Sequence, residues 1–124
     1  MSRATILITD DALFMRTMLK NILMAGKFRI IEAGNGTEAV DQYKAHRPDM
    51  VFMDITMPGM DGIAATKAIR QIDPNAVVVM CSAMGQQTMV VEAVRAGAKD
   101  FIVKPVKPDR VLDCIKKFCP EQAA

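Results

Sequence analysis

Five times along this chain a short, near-continuous apolar run gives way to a longer stretch whose apolar residues fall three and four apart. The short runs, at 5–9, 28–33, 50–54, 76–82 and 100–104, predict strands buried on both faces. The longer stretches predict helices over 12–25, 37–47, 63–72, 86–96 and from Pro108 onward. Phe14, Met18, Ile22 and Ala25 form the inward stripe expected of the first helix, and Val90, Ala93 and Val94 that of the fourth. Val111, Leu112, Ile115 and Phe118 do the same for the fifth. Gly26 and Gly97 fit left-handed helix stops, Pro48 and the Asp73-Pro74-Asn75 break end the second and third helices, and Pro108 suits a first helical turn.

Strict alternation of strand and helix specifies an α/β sandwich: a parallel five-stranded sheet with helices on both faces. Right-handed crossovers then bring every strand's carboxyl end to one edge, where open α/β sheets bind ligands. Residues far apart in sequence converge there: Asp10 and Asp11 after the first strand, Asp54 at the end of the third, Ser82 at the end of the fourth and Lys104 at the end of the fifth. Asp54 stands out, because its apolar run stops at a carboxylate and opens at once into the Pro58–Gly62 turn. A lone Asp in that place could merely cap a turn. The other residues on the edge give it chemistry.

Composition narrows the function. A length of 124 residues suits one domain, 1–124, with one core and no linker, repeat or low-complexity segment. The start at Met and the end just past the fifth helix favour a stand-alone protein. A net charge of +2 is too small for phosphate-driven nucleic-acid binding, and Gly34-Asn35-Gly36 lacks the spacing of a phosphate-cradling loop. No apolar run approaches the roughly 18 residues of a membrane span, and the amino terminus is no signal peptide, so the expected location is cytoplasmic. Cys81, Cys114 and Cys119 have no metal or redox spacing and read as reduced thiols. Eleven methionines read as core filler. His46, the only histidine, reads as an exposed helix-end residue. Arg95, Lys99, Lys107, Arg110, Lys116 and Lys117 give the last third a basic surface able to meet an acidic peptide.

Three carboxylates in one crevice repel one another, and the repulsion is offset either by raised pKa values or by a bound cation. With no His or Cys beside them, a hard divalent ion with oxygen ligands fits best, Mg²⁺ by preference. Lys104 adds a compact positive charge and Ser82 a hydroxyl donor. Asp54 is then placed to attack phosphorus as a carboxylate nucleophile, giving a labile aspartyl phosphate.

Along its whole length the sequence resembles the receiver domains of two-component response regulators, most closely the stand-alone chemotaxis members. The resemblance rests on Asp10-Asp11, on Asp54 with Met57-Pro58 and Met60-Asp61-Gly62, on Ser82-Ala83, on Gly97-Ala-Lys-Asp-Phe101 and on Lys104-Pro105. It implies a flavodoxin-like three-layer sandwich with strand order 2-1-3-4-5 and five helices. It implies phosphorylation of Asp54 by a CheA-type histidine kinase, with Mg²⁺ held by Asp11, Asp54 and the main-chain carbonyl of Thr56, assisted by Asp10. Ser82 and Lys104 would bind the phosphoryl group, and the Lys104-Pro105 bond is expected to be cis. Ser82 and Phe101 would form a switch read on the face of the fourth helix, fifth strand and fifth helix. Many chemotaxis members carry Tyr where this chain has Phe101. Thr56 and Met84 occupy positions that tune phosphoryl lifetime. The implied partners are the kinase, a flagellar motor switch protein and an aspartyl-phosphate phosphatase. The chain is then a monomeric signalling module and no enzyme beyond supporting its own phosphorylation and dephosphorylation.

Other readings remain open on the sequence. A phosphorelay receiver, or a receiver from a longer regulator with a DNA-binding output, would carry the same motifs. A haloacid-dehalogenase-like phosphohydrolase also uses a strand-end Asp, Mg²⁺ and Lys, but it wants a second Asp where this chain has Thr56. A flavin carrier would want hydroxyls and amides where the first strand ends in two acids.

Overall fold

In the computed structural model, which describes residues 4–83 and 87–119, the apolar runs form β1 (Thr5–Thr9), β2 (Arg29–Ala33), β3 (Met50–Asp54), β4 (Val78–Ser82) and β5 (Asp100–Val103). Between and after them lie α1 (Leu13–Leu23), α2 (Gly36–His46), α3 (Gly62–Ile72), α4 (Gln87–Ala96) and α5 (Pro108–Phe118). All strand pairs are parallel, in the order β2-β1-β3-β4-β5. The flavodoxin-like topology implied by the resemblance is therefore present.

The alternation of side chains across the sheet sorts the core into two layers. Leu7, Val51, Met53, Val78 and Met80 share one layer with Ala39 and Tyr43 of α2, Ile63 and Ile69 of α3, and Ala93 of α4. Ile6, Ile8, Phe52, Val79, Cys81 and Ile102 share the other with Leu19 and Leu23 of α1 and Val111, Cys114 and Ile115 of α5. Each Val, Leu, Ile, Met or Phe among them contributes about 1.5–3 kcal/mol when fully buried. The central strand β3 is buried at every position, so Asp54 ends a strand packed on both faces.

Local chemistry sets the helix ends. The Asn35 carboxamide accepts from the Glu38 amide at 2.8 Å while the Glu38 carboxylate accepts from the Gly34 amide at 2.8 Å, a reciprocal cap that starts α2. Asp61 caps α3 by accepting from the Ala64 amide at 2.8 Å. Gly97 has φ +114, as expected of the stop after α4. Gly26 differs from expectation: α1 ends at Met24 in right-handed conformation. A Cβ at 26 would meet the ring of Phe28, which would have to shift to make room for it.

Two stripes are also turned from their expected faces. Phe14 is 72% exposed, while Leu19 and Leu23 are buried and Met15, Met18 and Ile22 pack beside them. The positions 15, 18, 19, 22 and 23 keep the same helical spacing, so docking of α1 on the sheet selects the neighbouring stripe. In α4, Val94 is 53% exposed, and Met89 and Val90 join Ala93 against the core. The predicted start of α4 at residue 86 falls outside the described residues.

Candidate functional site

Strand register assembles the site. Thr9 lies beside Met53 and Ala33, Asp54 beside Cys81, and Ser82 beside Val103, so the five strand ends stand nearly level. At this edge Lys104 reaches Asp10 and Asp54, Ser82 ends β4, and Asp11 lies on the exposed rim.

Asp10 is held at every polar group. Its amide donates to the Ala33 carbonyl at 3.2 Å, and its carbonyl accepts from Arg16 Nη1 at 2.6 Å. Its Oδ1 accepts from the Ala12 amide at 2.9 Å and its Oδ2 from Lys104 Nζ at 3.0 Å. The same ammonium donates to Asp54 Oδ1 at 3.0 Å. Lys104 thus bridges two carboxylates that are nearly buried, 3% and 9% exposed by side chain.

Electrostatics leaves the cluster short of positive charge. Asp10, Asp11 and Asp54 each offer a carboxylate oxygen, and these lie within 4.8 Å of one another. With all ionised, three negative charges and the one ammonium sum to −3 + 1 = −2. Neighbouring unit charges at such separations interact by about 4 kcal/mol at an effective dielectric of 20. Burial pushes the Asp54 carboxyl above the ordinary carboxylate range; the Lys104 hydrogen bond pulls it back, and the Asp10 and Asp11 charges push it up again. Burial pulls the Lys104 ammonium down, but its hydrogen bonds to Asp54 and Asp10 outweigh that and raise it overall.

A divalent cation would cancel the residual charge, and an all-oxygen donor set with no His or Cys in the cluster fits a hard one. Asp10, Asp11 and Asp54 could hold it.

The turn beyond Asp54 is shaped by its glycines. Gly62 donates its amide to the Ile55 carbonyl at 2.8 Å, and a Cβ there would collide with the Asp54 carbonyl oxygen. Gly59 has φ +74, a conformation that favours glycine. Thr56 is exposed between Asp54 and this turn. Ser82 is buried at the end of β4, and its carbonyl accepts from the Lys104 amide at 2.7 Å. The Lys104-Pro105 peptide is cis. Met84 lies outside the described residues.

Phe101 stands on β5 and is 38% exposed. Its amide donates to Asp100 Oδ1 at 2.8 Å and its carbonyl accepts from Arg110 Nη2 at 2.9 Å. A shallow cleft of about 450 Å³ beside it is lined by Val103, Pro105, Lys107 and Arg110. Two charged neighbours of the site were not legible as such. Arg110 stood out only as one of several basic residues. Arg16 carried no signal beyond its place one turn into a helix that follows Asp10-Asp11.

Comparison with known proteins agrees with this geometry. Residues 6–116 match the family described as the response regulator receiver domain, and the chain belongs to that family. Within it the chain is of the chemotaxis CheY type. It is 62% identical over 113 residues to the chemotaxis protein CheY of Bacillus subtilis, covering 90% of this chain and 94% of that protein. It is 58% identical over 113 residues to the chemotaxis protein CheY of Thermotoga maritima, with 90% and 94% covered. The fold is also similar to a crystal structure of a CheX-CheY-BeF3-Mg²⁺ complex from Borrelia burgdorferi. There the TM-score is 0.86 at 42% identity, with 92% of this chain and 87% of that one covered. Among the described residues, no helix is long and apolar enough to cross a membrane.

Proposed function

We propose that this chain is a stand-alone chemotaxis response regulator whose state is set by phosphorylation of Asp54. The observation that carries this reading is the shared ammonium: Lys104 reaches Asp54 and Asp10 at 3.0 Å each, beside a third carboxylate. One oxygen of Asp54 is thereby engaged, which leaves the other to attack phosphorus. Lys104 and the Ser82 hydroxyl serve the phosphoryl oxygens, and Lys104 stabilises the charge that builds on them. Asp10, Asp11, Asp54 and the Thr56 carbonyl would hold Mg²⁺, which would supply charge neutralisation at the transferring group. The phosphate donor is a CheA-type histidine kinase, which places the protein in the cytoplasm.

The added charge biases Ser82 toward the phosphoryl group and Phe101 inward. The face of α4, β5 and α5 then binds the flagellar motor switch. Exposed Val91 and Val94 of α4 and exposed Phe101 and Val103 of β5, the latter two lining a cleft with Lys107 and Arg110, suit a partner segment that is both apolar and acidic. A phosphatase ends the signal. The CheX-CheY complex from Borrelia burgdorferi is a precedent for a regulatory partner of a relative.

The test uses acetyl phosphate or beryllofluoride with Mg²⁺, followed by binding to a motor-switch peptide. Wild-type protein is expected to take up label and to bind the peptide more tightly once activated, and Asp54→Asn to lose at least about 100-fold of the labelling. Undiminished labelling of Asp54→Asn would sink the assignment. An activated protein that ignores the peptide and passes phosphate to a histidine-containing protein would instead be a relay component.

A further inference from the structure

We infer that Arg16 is a positioning residue for the metal-binding carboxylates, acting through the peptide that joins Asp10 to Asp11. The inference rests on the metal reading proposed above and concerns a residue outside the carboxylate cluster. Arg16 sits in the second turn of α1, with its side chain only 18% exposed. Its guanidinium is divided between two acceptors: Nη1 donates to the Asp10 carbonyl at 2.6 Å, and Nε to Glu32 Oε1 of β2 at 3.2 Å.

That carbonyl belongs to the plane from which the Asp11 Cα hangs, so its direction sets where the Asp11 carboxylate can reach. Across the same residue, the Asp10 amide is bound to the Ala33 carbonyl, next in β2 after Glu32. The Asp10 main chain is therefore clamped to β2 twice, directly through its amide and through Arg16 at its carbonyl. Exposed Asp11 gains a fixed base from this clamp. A planar fork can span both acceptors, whereas the point charge of a lysine serves only one well.

Charge and position make opposite demands, and this separates them. A cation beside an acidic cluster repels a second cation, so removal of Arg16 as a mere charge should tighten Mg²⁺ binding. Removal of Arg16 as a positioner should weaken it, by the roughly tenfold typical of lost outer-shell partners. Lys20 supplies the control. It lies on the same helix, pairs with the other Glu32 oxygen at 3.4 Å, and is more exposed at 47%.

The experiment titrates the full chain with Mg²⁺ alone, follows the amide resonances of residues 10, 11 and 54 by NMR, and measures urea unfolding alongside. Arg16→Ala is expected to raise the Mg²⁺ dissociation constant about tenfold. Lys20→Ala should leave it within about twofold or lower it, as a screened surface charge does. Arg16→Lys, which keeps charge and bulk, should fall between the two and carries the test if Arg16→Ala does not fold. Binding by Arg16→Lys as tight as wild type, by Arg16→Ala as tight or tighter, or an equal loss in Lys20→Ala overturns the inference. A wild-type chain that fails to titrate overturns the metal reading itself, a result distinct from all of these.

Discussion

The two edges of the sheet are built on opposite principles. At the carboxyl edge, buried Asp10 and Asp54 share one ammonium, and burial works against the ionised form of Asp54. At the amino edge, the charges are individually satisfied. Asp73 at the end of α3 accepts from the Asn75 amide at 2.9 Å and from the Tyr43 hydroxyl at 2.8 Å, with Arg47 at 3.9 Å. Asp49 accepts from the Thr5 amide at 2.7 Å, beside a main-chain bond from its own amide to the Thr5 carbonyl. Asp73 is accordingly held below the ordinary carboxylate range, first by the Asn75 amide and then by Tyr43, and burial and Asp73 together push the Tyr43 phenol up. One edge is arranged for a reaction and gives up stability to be so, while the other closes the fold.

The contrast is broken most easily at Lys104. Lys104→Met should slow phosphorylation by acetyl phosphate about 100-fold, since a charge aimed at the transferring oxygens is lost. It should also tighten Mg²⁺ binding, because the carboxylates lose their internal cation. Rates within twofold of wild type would make the carboxyl edge a structural feature only.

Next in size is the stability of Asp54→Asn. A raised folded-state pKa means that the contribution of Asp54 is fully present at low pH and is lost as pH rises through that value. In Mg²⁺-free buffer near neutrality the variant should therefore exceed wild type by about 1.5 kcal/mol in urea unfolding, a typical gain from relaxing a functional site. The gap should close as pH falls below the ordinary carboxylate range.

Tyr43→Phe tests the amino edge with the opposite sign. Asp73 contributes stability above its unfolded pKa and loses it as pH falls through the lowered folded value. The variant should be about 1 kcal/mol less stable at neutral pH, the worth of one ordinary hydrogen bond, and this deficit should shrink in acid. A deficit that grows in acid would remove Asp73 from the explanation. The smallest effect is expected of Asn35→Ala, which lies at the carboxyl edge but serves only the start of α2. It should cost about 0.5 kcal/mol and leave phosphorylation unchanged.

What the sequence made legible follows the same division. The bounds of β1 and β3 were readable to the residue, because a strand buried on both faces is a continuous apolar run with a polar stop at each end. Asp10, Asp11, Asp54, Ser82 and Lys104 were readable as neighbours because each directly follows or ends such a run, and parallel topology does the rest. Helix orientation was less so. The stripes at Phe14 and Met15 share Met18 and Ile22, and only docking on the sheet chooses between them. Arg16 was invisible because its partner is a main-chain carbonyl, which every residue possesses. Glu32 likewise read as one acid in a strand until its partners on α1, Arg16 and Lys20, were known.

The bond between Lys104 and Asp10 joins residues 94 positions apart. A chain leaving the ribosome therefore carries the nucleophile at Asp54 long before the ammonium that completes its surroundings. Until β5 has paired with β4 at the end of the sheet, Asp54 lies among carboxylates with no internal counter-charge. Packing of the edge strand β5 is thereby tied to the charge balance around Asp54, because the residue that follows β5 carries the ammonium both carboxylates share.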